Sequence, residues 1–270
     1  AAMLWWMAAA PALLGGEWAG WCCSYSTGTA RLRPVPEAYL SDTAIEWGQI
    51  PTGFEELTSE QVVGASVNRR SVRILPEDGC AIEDLPATIS RTETSFSVLT
   101  QTPLPAAASQ THLGDNLWQV ETVFGAVCGG ARERPTALPH SASRTRMALK
   151  FNAETGSLCG PEVSAWQERR WAEIPGELTV REGSGGRSGL DGAWVSSAIG
   201  VGCFGEKKVG GSVREGALEL PVIGITVRWA PAVIEFQLAL PEQDETSIIR
   251  RTFNLASHTC ALSCESHALA

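Results

Sequence analysis

Short runs in which apolar and polar residues alternate recur along this chain, and they constrain its fold more than any other feature. Their two-residue period is typical of β-strands with one buried face, whereas the 3.6-residue period of long helices is scarce. Proline and glycine separate the runs. The pattern predicts an all-β protein built from antiparallel barrels or sandwiches. The predicted strands are residues 70–76, 94–100, 116–127, 145–152, 217–229, 232–240 and 247–255.

Composition limits the class of protein further. The chain has 270 residues, of which 44% are hydrophobic, and this excludes a disordered tail. Its formal net charge of −9 argues against nucleic-acid partners, which require a basic surface. Ten tryptophans against two tyrosines predict large flat side chains in cores, pockets or interfaces.

The eight cysteines do not impose a disulfide framework. A chain of this length can bury a sufficient core without cross-links, and Cys22 and Cys23 are adjacent, so that in a strand their side chains lie on opposite faces. We expect the cysteines to be buried or incidental free thiols.

The chain divides into three predicted parts. Residues 1–15 are apolar and uncharged. They are too short to span a membrane and are expected to form a short helix laid against the following domain. Shallow membrane contact through Trp5 and Trp6 is the alternative. The glycine- and serine-rich residues 181–192 are the linker candidate, which leaves one domain at 16–180 and a smaller one at 188–270.

Two sequence patterns occur once in each half. GEWAGW begins at Gly16 and a looser GAW ends at Trp194. RMALKFNAETGSLCGPE (residues 146–162) is echoed by IRRTFNLASHTCALSCE (residues 249–265), each with Arg, an apolar strand, Phe-Asn, a turn, Leu and Glu. These echoes predict a tandem repeat of one β unit.

The paired patterns resemble those of lipocalin-like (calycin) barrels. In that family Gly-x-Trp opens the first strand and an Arg of the last strand packs over the Trp, closing one end of the barrel. The resemblance implies a first closure of Gly16 and Trp18 with Arg144 or Arg146. It implies a second closure of Gly192 and Trp194 with Arg250 or Arg251. The fold expected is therefore all-β, with two tandem lipocalin-like barrels, the second of them short enough to be incomplete.

More narrowly, the chain resembles a family of uncharacterised cyanobacterial and plastid proteins with two such barrels. The residues that carry this likeness are LWW followed by ALLGGEWAGW, CGGARERP at 128–135 and AWQERRW at 165–171. The resemblance implies a photosynthetic setting, in the chloroplast stroma or peripheral to the thylakoid. Bilin lyases share the calycin fold, which brings an enzymatic alternative.

A barrel of about eight strands leaves room inside for one small ligand. Inward positions of the predicted strands would give an apolar, aromatic lining suited to a pigment or a lipid, or would simply fill a barrel without a ligand. The expected pocket residues are Phe96, Val98, Trp118, Val120, Met147, Trp229 and Phe236, with Val123 at a further inward position.

Three further motifs have features of a functional site. GVGCFG (200–205) has the spacing of a dinucleotide loop, but the glycines that follow it would prevent the helix that this site requires. HTCALSCESH (258–267) has too few well-spaced ligands for structural zinc. The acidic GFEELTSEQ (53–61) is expected to be a short helix or loop. No catalytic or metal-ligating residues and no certain cofactor are predicted.

WQERRWAE (166–173) mixes aromatic residues with both charges. Such a run is a solvated strand or helix face, or else a docking surface, because Trp and Arg are favoured interface anchors. The expected interface residues are Arg169, Arg170 and Trp171, with Trp5 and Trp6.

Together these features favour a non-enzymatic protein over an enzyme. We expect an accessory subunit of a larger photosynthetic complex, a carrier of an apolar pigment or lipid, or both. The expected partner is a protein complex, with at most peripheral membrane contact and no nucleic acid. A bilin-lyase-like enzyme is the alternative, although no polar group beside the predicted pocket would steer a tetrapyrrole.

Overall fold

A computed structural model of the chain describes residues 14–40, 42–48, 50–74, 88–97, 100–101, 104–105, 108–127, 142–170, 212–220, 225–241 and 245–268. Most of these residues lie in antiparallel β-strands, as the alternation predicts. The predicted N-terminal helix and the linker candidate lie outside the described residues, apart from Leu14 and Gly15 at the helix end. Within the described part, no helix is long and apolar enough to cross a membrane.

The first sheet has eight strands and is nearly closed into a barrel. Its order is β4-β3-β2-β1-β10-β9-β8-β7, and the edge strands β4 and β7 contact each other. Thr92 and Thr94 on β4 and Thr111 on β7 are exposed, so the barrel is open to water along part of this seam. Its strands are β1 (Gly16–Ser26), β2 (Phe54–Val63), β3 (Ser66–Ile74), β4 (Thr88–Ser97), β7 (Ala108–Gly114), β8 (Leu117–Val127), β9 (Ala142–Asn152) and β10 (Ser157–Arg170).

The second sheet has six strands in simple sequence order, from β11 to β16. A two-stranded ribbon of β5 (Thr100–Gln101) and β6 (Leu104–Pro105) lies beside β16. The strands of the second sheet are β11 (Ser212–Arg214), β12 (Ala217–Leu220), β13 (Ile225–Ala230), β14 (Val233–Pro241), β15 (Glu245–Asn254) and β16 (Thr259–Ala268).

Two expectations about individual elements were wrong. Residues 53–61 do not form a short helix or loop: they belong largely to β2, which pairs with both β1 and β3. Residues 217–229 are not one strand either, because β12 ends at Leu220 and β13 begins at Ile225, and the two strands pair with each other.

One hydrophobic core joins the two sheets. It contains Val120 and Met147 from the outer face of the barrel together with Val227, Phe236 and Phe253 from the second sheet, all of them 0% exposed. The barrel therefore buries the outer face of β8 and β9 beneath the second sheet, in the manner of face-to-face sheet packing. The opposite face of the same strands lines the barrel interior.

The connection between β1 and β2 contains the helical residues that the structure describes. A 3₁₀ turn at Glu37–Tyr39 is followed by α1 (Asp42–Glu46), a helix of five residues. This connection lies outside the two sheets and carries the most exposed tryptophan of the described residues, Trp47.

Candidate functional site

Trp18 is fully buried near the start of β1, where the resemblance places a closing residue. Its side chain is 0% exposed and its indole N–H donates to the Gly15 carbonyl at 3.0 Å. Gly15 and Gly16 have φ values of +84° and +81°, which an L side chain rarely adopts, so the chain turns here in a way that favours glycine. Gly16 of the Gly-x-Trp pattern thus allows the backbone turn, while the Trp18 side chain fills this end of the barrel.

Arg144 lies over Trp18. Its guanidinium carbon is 4.1 Å from the ring centroid, a cation–π contact in a dry environment. Of the two arginines expected here, Arg144 and not Arg146 makes this contact. Arg144 also donates twice to Glu60, at 2.8 and 3.2 Å, and once to Glu168 at 2.8 Å.

Arg69 connects opposite sides of the barrel. Its two terminal nitrogens donate to the Glu121 carboxylate at 2.9 and 2.6 Å, and its Nε donates to Glu60 at 2.7 Å. Glu60 and Arg69 lie on β2 and β3, whereas Glu121 lies on β8. Forked contacts of this kind hold both partners in a fixed orientation, so Arg69 ties β3 to β8 across the interior.

Arg146 and Arg73 extend the same network toward the other end of the barrel. Arg146 lies 3.8 Å from the Trp166 ring centroid and donates to Glu56 at 3.0 Å and to Glu168 at 3.3 Å. Arg73 donates to Glu56 at 2.9 and 3.1 Å and is the more exposed of the pair, with 33% of its side chain accessible.

We call these eight side chains the ionic layer. Four positive charges stand against four negative ones, so the layer is neutral as a unit. A neutral, mutually hydrogen-bonded set satisfies charges that would be very costly to bury singly. Its members are Arg69, Arg73, Arg144, Arg146, Glu56, Glu60, Glu121 and Glu168.

The arginines keep the carboxylates of the ionic layer ionised. Burial alone would raise the pKa of Glu60, but Arg144 and Arg69 overcome this effect and hold the pKa at about 2, below its ordinary value of 4.5. Burial also opposes ionisation of Glu56 and Glu168, and the neighbouring arginines again bring both pKa values below the ordinary range.

Two adjacent thiols of β1 are held in the protonated form: Cys22 lies beside the ionic layer, and Cys23 lies on the opposite face of the strand, in the shared core. Cys22 accepts a long hydrogen bond of 3.4 Å from Arg73, yet burial and the charge of Glu56 raise its pKa well above the usual value. Burial likewise raises the pKa of Cys23. Because the thiolate is the reactive form, neither cysteine is poised as a nucleophile. The described cysteines Cys22, Cys23, Cys159 and Cys260 are free, which confirms that expectation for them.

The structure divides the expected pocket residues between two regions. Phe96 packs with Val67, Val123 and Leu14 in a small apolar cluster at the Trp18 end of the barrel. The others that are described do not line the barrel interior: they belong to, or pack against, the core shared by the two sheets. These are Trp118, Val120, Met147, Trp229 and Phe236. Val98 lies outside the described residues.

The second expected closure is described only in part. Gly192 and Trp194 lie outside the described residues. Arg250 is half-buried and pairs with Glu265 on the neighbouring strand. Its neighbour Arg251 is the buried one, and it donates to the Thr122 hydroxyl at 2.7 Å and to the Val123 carbonyl at 2.9 Å on β8.

Most of the expected docking residues lie outside the residues that the structure describes. Trp5, Trp6 and Trp171 are not described, and of Arg169 and Arg170 only the backbone is, paired with β1. Residues 166–168 of that run belong to β10 and do not form a solvated face, because Trp166 is 7% exposed and Glu168 2%. Among the described residues no group of three or more His, Cys, Asp or Glu side chains could hold a metal ion.

The residues that the sequence analysis missed follow a period of two. Glu56 and Glu60 on β2, and Trp166 with Glu168 on β10, are each separated by an even number of positions along one strand. The same spacing separates Arg144 and Arg146, which the resemblance had already suggested as closing residues. Charges at this spacing lie on one face of a strand. That signal was available, but a polar face is normally assigned to solvent and not to a barrel interior.

The fold and the site define a class: an all-β protein with a nearly closed antiparallel barrel, an ionic interior and a second sheet packed on its outside. Comparison with known proteins found no protein family whose model matches the sequence. It also found no curated protein with a similar sequence.

Proposed function

We propose that this protein is a non-enzymatic accessory subunit that docks through its outer surface onto a larger protein assembly. The observation that carries the proposal is the ionic layer. Its arginines and glutamates neutralise one another inside the barrel, and they occupy the space in which a carrier of this size would hold a ligand. A partner would therefore bind to the outer surface of the molecule.

Two further features support a surface role. The Cys22 thiol next to the barrel interior is protonated, and the ionisable groups of the ionic layer are hydrogen-bonded to each other, so the described interior offers little that could transfer a proton or attack a substrate. Outside the barrel, by contrast, Trp47 is 71% exposed and Tyr39 46%. Large exposed aromatic residues are typical anchors of protein interfaces.

The setting of the proposal rests on the sequence resemblance. GEWAGW and the Arg-containing runs resemble cyanobacterial and plastid proteins, and this supports an assembly of a photosynthetic compartment, in the stroma or at the thylakoid periphery. A carrier of an apolar pigment or lipid is the alternative in the same setting. It has less support, because most of the apolar residues expected to line a pocket lie in the shared core.

Native gel electrophoresis of extracts containing a tagged copy of the full chain tests the proposal. We expect the tagged chain to migrate with a large complex and the purified chain to be colourless, with no pigment in an organic extract. Migration only as a free monomer would contradict docking. A stoichiometric pigment would show a carrier instead, and transfer of bilin to an apo-phycobiliprotein in a mixing assay would show the lyase.

A further inference from the structure

The connection between β1 and β2 presents an apolar surface to solvent. We call residues 35–50 the Trp47 loop. Its exposed apolar side chains are Tyr39, Trp47 and Ile50, which are 46%, 71% and 37% exposed. Trp is seldom left so accessible, because burying its large side chain removes much apolar area from water. A cluster of three such residues in one short segment is typical of an interaction surface.

Both ends of the Trp47 loop are fixed to the barrel. At its start, Val35 is 2% exposed and its N–H donates to the Pro51 carbonyl at 2.8 Å, which closes the loop. Just before it, the N–H of Arg33 donates to the Ser24 carbonyl of β1 at 2.8 Å. The loop is therefore held at its base while its middle projects outward.

The return of the loop to β2 is equally constrained. A Cβ added to Gly53 would lie 2.3 Å from the Trp21 indole nitrogen and 2.6 Å from the Cys22 carbonyl, so only glycine allows this approach. Tyr39 packs edge-on against Phe54, with ring centroids 6.0 Å apart. A surface that is already ordered loses less conformational freedom when a partner binds.

The charge of the loop has one sign. Residues 35–50 contain Glu37, Asp42 and Glu46 and contain no lysine or arginine. Asp42 and Glu46 are four positions apart in α1, which places their like charges on one side of the helix, and both are exposed. Like charges at this spacing repel each other. A cationic partner would relieve that repulsion.

We propose that the Trp47 loop is the docking surface of this subunit and that its partner is a basic protein face, with Lys or Arg side chains that contact Trp47 beside Asp42 and Glu46. The inference rests on the proposed function and names the partner's chemistry. An indole face and two carboxylates attract the same cation, the first through its quadrupole and the others through their charge. Arg fits best because its planar group stacks on an indole and forks onto a carboxylate.

The direct test is a fluorescence-anisotropy titration of the full chain with a labelled amphipathic peptide built from Lys and Leu. A peptide of the same length in which Glu replaces Lys is the negative control. We expect saturable binding of the basic peptide alone, and an increase in Kd of at least tenfold in Trp47→Ala, with a smaller increase in Trp47→Phe because an aromatic face remains. Trp47 is exposed, so circular dichroism should show the same fold in each variant.

Charge variants separate local attraction from the net charge of the molecule. Asp42→Asn/Glu46→Gln should raise Kd by about three- to tenfold, which is the loss of two favourable charge contacts. The control Asp115→Asn/Glu215→Gln removes the same charge from two exposed hairpin turns and should change Kd less than twofold. Failure of the wild-type chain to bind, an unchanged Kd in Trp47→Ala, or equal effects of the two double variants would overturn the inference.

The same variants distinguish this inference from the proposed function. If the wild-type chain migrates with a large complex and Trp47→Ala does so equally well, the protein is a subunit that docks elsewhere, and only the inference fails. If the wild-type chain does not migrate with any complex, the proposed function itself fails.

Discussion

Arg144 shows how one side chain can combine an apolar and an ionic role. Its guanidinium plane covers the Trp18 ring, while its N–H groups donate outward to Glu60 and Glu168. The flat face of the group is weakly hydrated and the edge carries the donors, so each side meets the environment that suits it. The apolar barrel end and the ionic layer are joined through this residue.

Removing the Arg144 charge should therefore be costly. Arg144→Met leaves the buried carboxylates of Glu60 and Glu168 short of a partner, and we expect the free energy of unfolding to fall by about 3–5 kcal/mol. Urea denaturation measures the change. The control is Arg33→Met, which breaks the exposed pair with Glu162 and should cost less than about 1 kcal/mol. Similar losses in both variants would show that the ionic layer is not the stabilising element described here.

Glu60 makes the stability of the folded chain depend on pH. Its pKa is lowered in the folded chain, from the ordinary 4.5 to about 2, so the folded state binds fewer protons than the unfolded state across this interval. The resulting stability is present above about pH 4.5 and is lost as the pH falls toward 2.

Urea denaturation at a series of pH values checks that stability falls as the pH falls. We expect the wild-type chain to lose stability steadily from pH 5 to pH 2, as estimated from linked protonation. Glu60→Gln should be less stable at pH 7 and should lose less on acidification. Parallel curves for the two proteins would mean that Glu60 does not carry the acid sensitivity.

Sequence reasoning found part of this chemistry at the residue scale. The Gly-x-Trp resemblance predicted Trp18 as the closing residue, and two arginines were proposed to cover it, one of which does. The glutamates were not predicted, because the partner of a buried charge lies on another strand. Glu60 and Arg144 are 84 positions apart in sequence, and only the folded sheet brings them together.

At the scale of elements, β1 and β10 approach unusually closely at Gly20. A Cβ at this position would lie 1.9 Å from the Gln167 carbonyl oxygen and 2.7 Å from the Glu168 Cα, both of them backbone atoms of β10. Gly20 is paired with Glu168 in the register of the two strands. The glycine therefore permits the close contact of these strands at the level of the ionic layer.

Gly20→Ala should separate β1 from β10. Because backbone atoms cannot move aside as a side chain end can, we expect a loss of about 3 kcal/mol or more in unfolding free energy, measured by urea denaturation. Gly28→Ala is the matched control: its Cβ would meet only the Ser26 hydroxyl, at 3.9 Å, and the effect should be small. A Gly20→Ala protein as stable as the Gly28→Ala control would contradict the close approach.

Strands with one apolar face were predictable from sequence, and β2 was not. β8 and β9 alternate in the expected way because one face enters the shared core. β2 carries three glutamates between residues 54 and 63, Glu55, Glu56 and Glu60, and all three are buried. Local propensity disfavours glutamate in strands, and tertiary ion pairing overrides it here.

At the scale of the whole molecule, the shared core makes the two sheets depend on each other. Phe236 belongs to the second sheet and is 0% exposed, with its ring 5.6 Å from that of Phe253 and in the cluster that includes Val120 and Met147 of the barrel. The two sheets are expected to unfold together, since neither can keep this core covered alone.

Phe236→Ala tests this dependence. We expect a loss of about 3–5 kcal/mol, the usual cost of deleting a buried aromatic ring. Hydrogen exchange should accelerate in β9 of the barrel as well as in β14, where the substitution lies. The exposed Val213→Ala, on the same sheet, is the control and should leave exchange unchanged. Faster exchange confined to the second sheet would mean that the sheets are independent units.

The barrel interior is occupied by its own charges, and we propose that recognition therefore takes place on the outside. Hydrogen–deuterium exchange of the full chain, free and in its isolated assembly, tests this most directly. We expect slower exchange within residues 35–50 in the assembly, with exchange in β3, β8 and β9 unchanged. Slower exchange in those interior strands, with the Trp47 loop unchanged, would contradict it.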